Sequence, residues 1–407
     1  MRFIPCAILM VALYGCSGQG RLTQPAEELA AATATRYTIV KLSATLGGTP
    51  SVGTAINDRA WVAGYSSFAD GSRHGVLWRN GSITDLGTLG GPGASSAVVW
   101  PGLNDAGVVV GISHTREVDP LNEQWSCEEG AFLPQSNRIC RGFVWENGTM
   151  RELPPLGGNH SFGTDVNNRG LVVGWAETPV HDPTCSVSAA QKLQFRAALW
   201  DPKDGSKGKV KVRELPPLGD DSTSAATAIN DERQVVGISG DCDQAVGRYS
   251  ARHAVLWEKN RKPIEIPHLG GDAWHTPMDI NDRADVVGFS NPGPGPDFLP
   301  HAFLWTYGAP RSEDLNVLPG DEWSQAFGIN SQGQVVGRSC GEVCRAVVWQ
   351  DGNIIELRSL VDPAFTEGHH LAAARHINDD GQITGNLVEL STGRNLAFVA
   401  TPITSAP

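Results

Sequence analysis

A short landmark recurs seven times along this chain of 407 residues: Ile56-Asn57-Asp58, Leu103-Asn104-Asp105, Val166-Asn167-Asn168, Ile229-Asn230-Asp231, Ile280-Asn281-Asp282, Ile329-Asn330-Ser331 and Ile377-Asn378-Asp379. Seven residues after every Asn stands a Gly: Gly64, Gly111, Gly174, Gly237, Gly288, Gly337 and Gly385. The Asn-to-Asn steps are 47, 63, 63, 51, 49 and 48 residues, so the unit is near 47 residues and two steps carry insertions. Self-similarity at this period confines the chain to an array of small units, each burying its apolar face on the next.

Each unit carries four strand signals. Strand A is the small-residue run before Asn, as in Thr54-Ala55-Ile56, and strand B is Val-Val-Gly-like, as in Val108 to Gly111. Strand C is an apolar run ending in Trp at Trp78, Trp145, Trp200, Trp257, Trp305 and Trp349, with Ala400 in the seventh copy. Strand D follows, as in Ile83 to Leu86, and a Leu-Gly-Gly-like corner such as Leu46-Gly47-Gly48 leads to the next unit. Asn-Asp-x-Gly between A and B supplies an Asx-type turn, so the repeated Asn is read as bonding its own turn backbone. Asn80-Gly81, Asn147-Gly148 and Asp351-Gly352 are two-residue hairpin turns between C and D.

Four antiparallel strands per unit predict an all-β, seven-bladed β-propeller of four-stranded blades. The chain ends support closure. The first strand, Tyr37 to Leu42, is of type D, and the last, Leu396 to Ala400, is of type C with no D after it. The N-terminal strand is therefore expected to close the last blade, a complementarity that a linear solenoid has no reason to show. Six of the 12 Trp are then one blade position counted six times and belong to the core.

His301-Ala302-Phe303-Leu304-Trp305 opens a strand C, His253-Ala254-Val255-Leu256-Trp257 and His74-Gly75-Val76-Leu77-Trp78 repeat it in part, and Arg196 and Arg345 replace the His elsewhere. On these residues the chain resembles the bacterial extracellular repeats of the HAF family, over essentially 37–401. The resemblance implies an exported repeat protein and brings no catalytic residues. The His itself is expected to satisfy a loop backbone at the strand start.

Arg2 followed by the apolar run Phe3–Leu13 predicts an export signal over 1–15, too short to span a bilayer. Leu13-Tyr14-Gly15-Cys16 resembles a lipobox, which implies lipidation at Cys16; an ordinary secretory signal is the alternative. Ser17 after Cys16 points to the outer membrane, on its periplasmic or cell-surface side. Residues 16–35 read as a tether and 36–407 as a single propeller domain. Six cysteines remain, and an even number in an exported chain suggests disulfides. Cys127 with Cys140 would close an insertion, Cys340 with Cys344 would pinch blade 6, and Cys185 with Cys242 could tie neighbouring blades. All six are placed in B–C loops, at 113–141, 176–195 and 239–252 and in blade 6. Rigidity for binding and resistance to proteolysis explain such staples equally.

Net charge is −12, which argues against nucleic-acid binding. No nucleophile elbow, zinc-protease helix, P-loop or EF-hand pattern is present, and neither metal nor cofactor is expected. Loops D–A and B–C must share one face of the ring. The D–A loops carry His160, Asp272, Trp274, His275, Asp321, Glu322, Trp323, His369 and His370 as candidate ligand-binding residues, in the pattern of aromatics beside carboxylates that holds sugars or cationic groups. Asp165, Asp279 and His376, two before Asn, are expected to line the channel. The expected function is a monomeric ligand-binding or interaction module, for a glycan or a protein, held at the outer membrane by its lipid. The alternative is a polysaccharide hydrolase or lyase using His160, His275, His369 and His370.

Overall fold

The computed structural model describes residues 35–43, 45–123, 127, 132–185, 191–204, 210–242, 251–259, 262–293 and 299–403. The expected signal, the lipidation site Cys16 and the tether up to residue 34 lie outside the described residues. Seven antiparallel four-stranded sheets form a ring, a seven-bladed β-propeller. Strand A of blades 1 to 7 is Ser51–Ile56, Ser96–Ala97, Ser161–Val166, Thr223–Ile229, Thr276–Ile280, Trp323–Ile329 and His369–Ile377. Blade 7 is completed by Tyr37–Lys41, which pairs antiparallel with Arg394–Pro402 as its outer strand.

The turn chemistry operates as its residues dictate. Asn80, Asn147 and Asp351 take φ of 50°, 49° and 52°, each followed by a left-handed Gly, as a two-residue hairpin turn requires. The Gly seven after Asn answers a different need. It faces a bulge in strand A, and a Cβ on Gly64, Gly174 or Gly237 would strike the carbonyl of Val52, Phe162 or Ala225. No side chain fits there, whatever its φ.

The strand C Trp is an inter-blade wedge. Trp145 packs with Ala55, Ala63 and Leu77 of blade 1, and Trp257 with Val173 and Ala197 of blade 3. The indole N–H is also used: Trp200 donates to Pro154 O at 2.8 Å and Trp257 to Pro216 O at 2.7 Å. Where Ala400 replaces Trp, the one-turn helical segments Leu357–Leu360 and Pro363–Thr366 precede blade 7, and Leu357, Leu360 and Tyr37 fill the space.

Three expectations are corrected. The insertions of blades 2 and 3 are partly strand, not loop: Val109–Val118 pairs with Arg138–Glu146, and Val172–His181 with Leu193–Asp201, so B and C extend outward as a hairpin. Cys140, Cys340 and Cys344 consequently sit in strands, although the disulfides are the expected Cys127–Cys140, Cys185–Cys242 and Cys340–Cys344. The strand C His does not satisfy a loop backbone. His74, His253 and His301 bond Asp85, Glu265 and Asp314 of strand D at 2.8, 2.8 and 2.9 Å. Arg141, Arg196 and Arg345 pair with Glu152, Glu214 and Glu356 in the same way, so the position needs a cation-capable donor facing a strand D acid.

Candidate functional site

The channel mouth on the face of the A–B turns is an open depression framed by two hydrogen-bonded belts. In every blade the Asn Oδ1 accepts the N–H of the residue four later, for instance Trp61 in blade 1 at 3.0 Å and Gln382 in blade 7 at 2.7 Å. The amide then reaches out of its own turn. Asn57 Nδ2 donates to Asn104 O, Asn104 to Asn167 O, and so on around the ring until Asn378 donates to Asn57 O, all at 2.9–3.2 Å. Half of each Asn thus shapes its turn, as the sequence implies, and half couples it to the next blade. The second belt is made in six of the seven blades by the following residue, whose Oδ1 accepts the preceding blade's N–H, as when Asp105 accepts from Asp58 at 3.0 Å; Ser331, which has no Oδ1, takes this place in blade 6. These carboxylates are occupied by architecture.

Deeper in this mouth, Asp165, Asp279 and His376 line the channel. Each joins two blades. Asp165 accepts from Ile229 N at 2.9 Å, Asp279 from Ile329 N at 2.9 Å, and His376 Nδ1 from Ile56 N at 3.2 Å. Burial pushes Asp165 up to about 8, with the Asp279 charge adding to it, and burial raises Asp279. The native state therefore holds protons that the unfolded chain releases above about pH 4. That stabilisation is complete below pH 4 and is lost as pH rises through 8. The melting temperature is expected to fall between about pH 4 and 8 and to level off above, and to fall less in Asp165→Asn, whose amide copies the neutral acid. Parallel profiles for the two proteins would overturn the assignment.

On the opposite face, the nine candidate residues do not meet in one place. His275 is buried between Ser290 Oγ at 2.8 Å and Gly271 O at 3.1 Å, and burial pulls it down to about 4. His369 Nδ1 bonds Phe365 O and His370 Nε2 bonds Cys344 O, both at 2.7 Å. Asp321 pairs with Arg345 at 2.8 Å, and Asp272 and Glu322 are exposed. Trp274, half-buried at φ 67°, packs edge-on against Phe289. His160 meets two carboxylates, Asp119 and Glu123, which the sequence did not single out because they lie in an insertion outside the repeat frame.

The axis itself is plugged by one apolar cluster that draws on all seven blades and includes Trp100, Phe162, Trp175 and Phe289. Its repeating contribution is the residue after the conserved-offset Gly: Tyr65, Ile112, Trp175, Ile238 and Phe289 in blades 1 to 5. Blades 6 and 7 place Arg338 and Asn386 there instead. Arg338 lies 4.9 Å over the Trp323 ring, and Phe327 is held between Arg338 at 5.4 Å and Arg375 at 4.8 Å. Arg338 Nη2 donates to Gln325 Oε1 at 2.7 Å, while Arg375 Nε and Asn386 Oδ1 are buried without a partner. Among the described residues no carboxylate pairs with either Arg. Burial, then the neighbouring Arg375 charge, pulls Arg338 down to about 9. The signal for this sector was legible: read down the seven copies, the residue after Gly turns from apolar to polar only at the last two.

No family model and no curated protein matches the chain. Among solved structures it is similar to a puromycin-hydrolysing peptidase of Mycobacterium tuberculosis, at 11% identity and TM-score 0.47, over 89% of this chain and 56% of that one. It is also similar to Trypanosoma rangeli sialidase in complex with sialic acid, at 9% identity and TM-score 0.37, over 90% of this chain and 59% of that one. The chain thus spans little more than half the length of each. The seven sheets of the chain itself identify it as a seven-bladed β-propeller.

Proposed function

We propose that this propeller is a binding module of the cell envelope, exported and anchored to the outer membrane through Cys16, which takes a glycan or a protein on the face of the D–A and B–C loops. The observation that carries the reading is the polar break in the axial plug. Arg338, Arg375 and Asn386 replace or interrupt an otherwise apolar layer, next to a half-buried Trp323, and leave buried polar atoms unused. A chain that needed only a sealed axis gains nothing from this, since a buried polar group without a partner costs about 1–3 kcal/mol. The aromatic faces and fixed donors of this sector are the means by which planar or hydroxylated ligands are oriented. The alternative, hydrolysis or lysis of polysaccharide, draws less support, because His275, His369 and His370 are each tied to local backbone or side-chain groups.

The test is a binding screen of the purified chain against glycans and envelope proteins, with product analysis on the same glycans. Ligands are expected to bind without turnover, and Trp323→Ala or Arg338→Ala is expected to weaken binding at least tenfold while Asp272→Ala has little effect. Ligands indifferent to both variants, or released products, would overturn the proposal.

A further inference from the structure

Asp119 and Glu123 come from the insertion of blade 2, Glu177 and Gln191 from that of blade 3, and His160 from the D–A loop between them. All five are at most 4% exposed. Three carboxylates therefore share an enclosed space, and the only titratable cation candidate among these five is His160. Its state is set by geometry. His160 Nδ1 accepts the Cys140 N–H at 3.0 Å, so the ring proton is on Nε2, which faces Asp119 Oδ2 at 3.5 Å. Nε2, carrying this proton, has no lone pair for a metal.

The oxygens are differently placed. Glu123 Oε1 accepts Lys192 N at 2.7 Å, and Glu177 Oε2 accepts His160 N at 2.7 Å. Gln191 Nε2 bridges Glu123 Oε1 at 3.3 Å and Glu177 Oε1 at 3.0 Å. Glu123 Oε2 and Gln191 Oε1 are buried and accept nothing. One ligand atom each of Asp119, Glu123 and His160 lies within 4.8 Å of the others. Two oxygens on one calcium ion, at 2.3–2.6 Å each, are separated by no more than about 5 Å. Gathering carboxylates away from water raises their energy as anions, and a bound cation lowers it.

We propose that Asp119, Glu123 and Gln191 hold a calcium ion that fastens the inserted hairpins of blades 2 and 3 together, with His160 N–H steadying Asp119 from outside. Oxygen-only donors of mixed carboxylate and amide type suit calcium; zinc prefers nitrogen and sulfur, and magnesium keeps its waters in a regular octahedron. The ion sits beside the Cys127–Cys140 disulfide, so the same insertion is clamped twice. This inference is independent of which ligand the axial sector takes.

The test uses the purified chain, stripped with EDTA at pH 8 and then titrated with calcium, magnesium or zinc. Calcium is expected to bind at one ion per chain, with a dissociation constant at or below about 10⁻³ M, and to raise the melting temperature by several degrees. Glu123→Gln is expected to remove the calcium response while melting no lower than wild type in EDTA, because it deletes a buried carboxylate that faces the like charge of Glu177. Asp119→Asn should lose the response as well, and Asp70→Asn, at an exposed turn, should keep it. Equal melting of wild type with and without calcium, with no ion retained, would overturn the proposal in favour of a proton on Glu123. Tighter binding of zinc than of calcium would overturn the assignment of His160 as a non-ligand.

Discussion

Removing residues 36–42 is expected to lower the melting temperature by on the order of 10 °C, or to prevent folding. Tyr37–Lys41 is the outer strand of blade 7, in register from Tyr37 opposite Pro402 to Lys41 opposite Phe398. Arg36 O also accepts Ile403 N, and Leu42 N donates to Ala397 O. Tyr37 is 1% exposed and packs with Leu357, Leu360 and Val361, where no strand C Trp exists to wedge blade 7. Losing one buried aromatic costs about 3–5 kcal/mol. The deletion also removes a whole ladder and bares an edge. Folded domains hold only about 5–15 kcal/mol in all, so this is a large fraction. Val40 in the same strand is 63% exposed, so Val40→Ala should melt within about 2 °C of wild type. Thermal and urea unfolding of the three proteins decides the matter: a deletion as mild as Val40→Ala would mean that the ring does not depend on this closure.

Much of the fold was legible because the repeat supplies a frame. Fixed offsets from Asn placed strands, turns and the strand B Gly in each blade, and the mismatched chain ends announced how the ring closes. The strand D acids were missed for want of such an offset: Asp85 follows His74 by 11 residues, but Glu214 follows Arg196 by 18. The functional surfaces were harder to read. A D–A loop can be named from sequence, but whether its His points at a neighbour or at its own backbone depends on the depth of the side chain along the axis. His275 and His369 looked like members of one mouth, and each is instead committed within a few residues of itself. The polar sector of blades 6 and 7 is visible in the repeat frame, at the residue after Gly. Asp119 and Glu123 have no counterpart in other units and could be found only by folding the insertions against each other.

The inner belt makes the second large expectation. Asn167, 4% exposed, donates Nδ2 to Asn230 O at 3.0 Å and accepts Leu171 N at 3.0 Å and Arg169 N at 3.2 Å through Oδ1. Asn167→Ala takes one of two donors from the buried Asn230 carbonyl, which keeps Arg233 N at 3.1 Å, and removes the acceptor of Leu171 N and Arg169 N. A loss of about 2–4 kcal/mol is expected from three hydrogen bonds at about 0.5–1.5 kcal/mol each. Asn167→Asp is the sharper probe. It keeps the Oδ1 acceptor and the shape, but it sets a carboxylate oxygen against Asn230 O in place of a donor. The new acid can donate only when protonated, so its folded-state pKa must rise above the unfolded value. Its stability relative to wild type is then best in acid and falls as pH rises through that raised pKa. Asn168→Ala, one residue on in the exposed outer belt, should cost less than either. If Asn167→Asp matches wild type at every pH while Asn167→Ala does not, the side chain only shapes its turn. A loss in both variants, with the Asp variant recovering below about pH 5, would show that these seven side chains bind blade to blade.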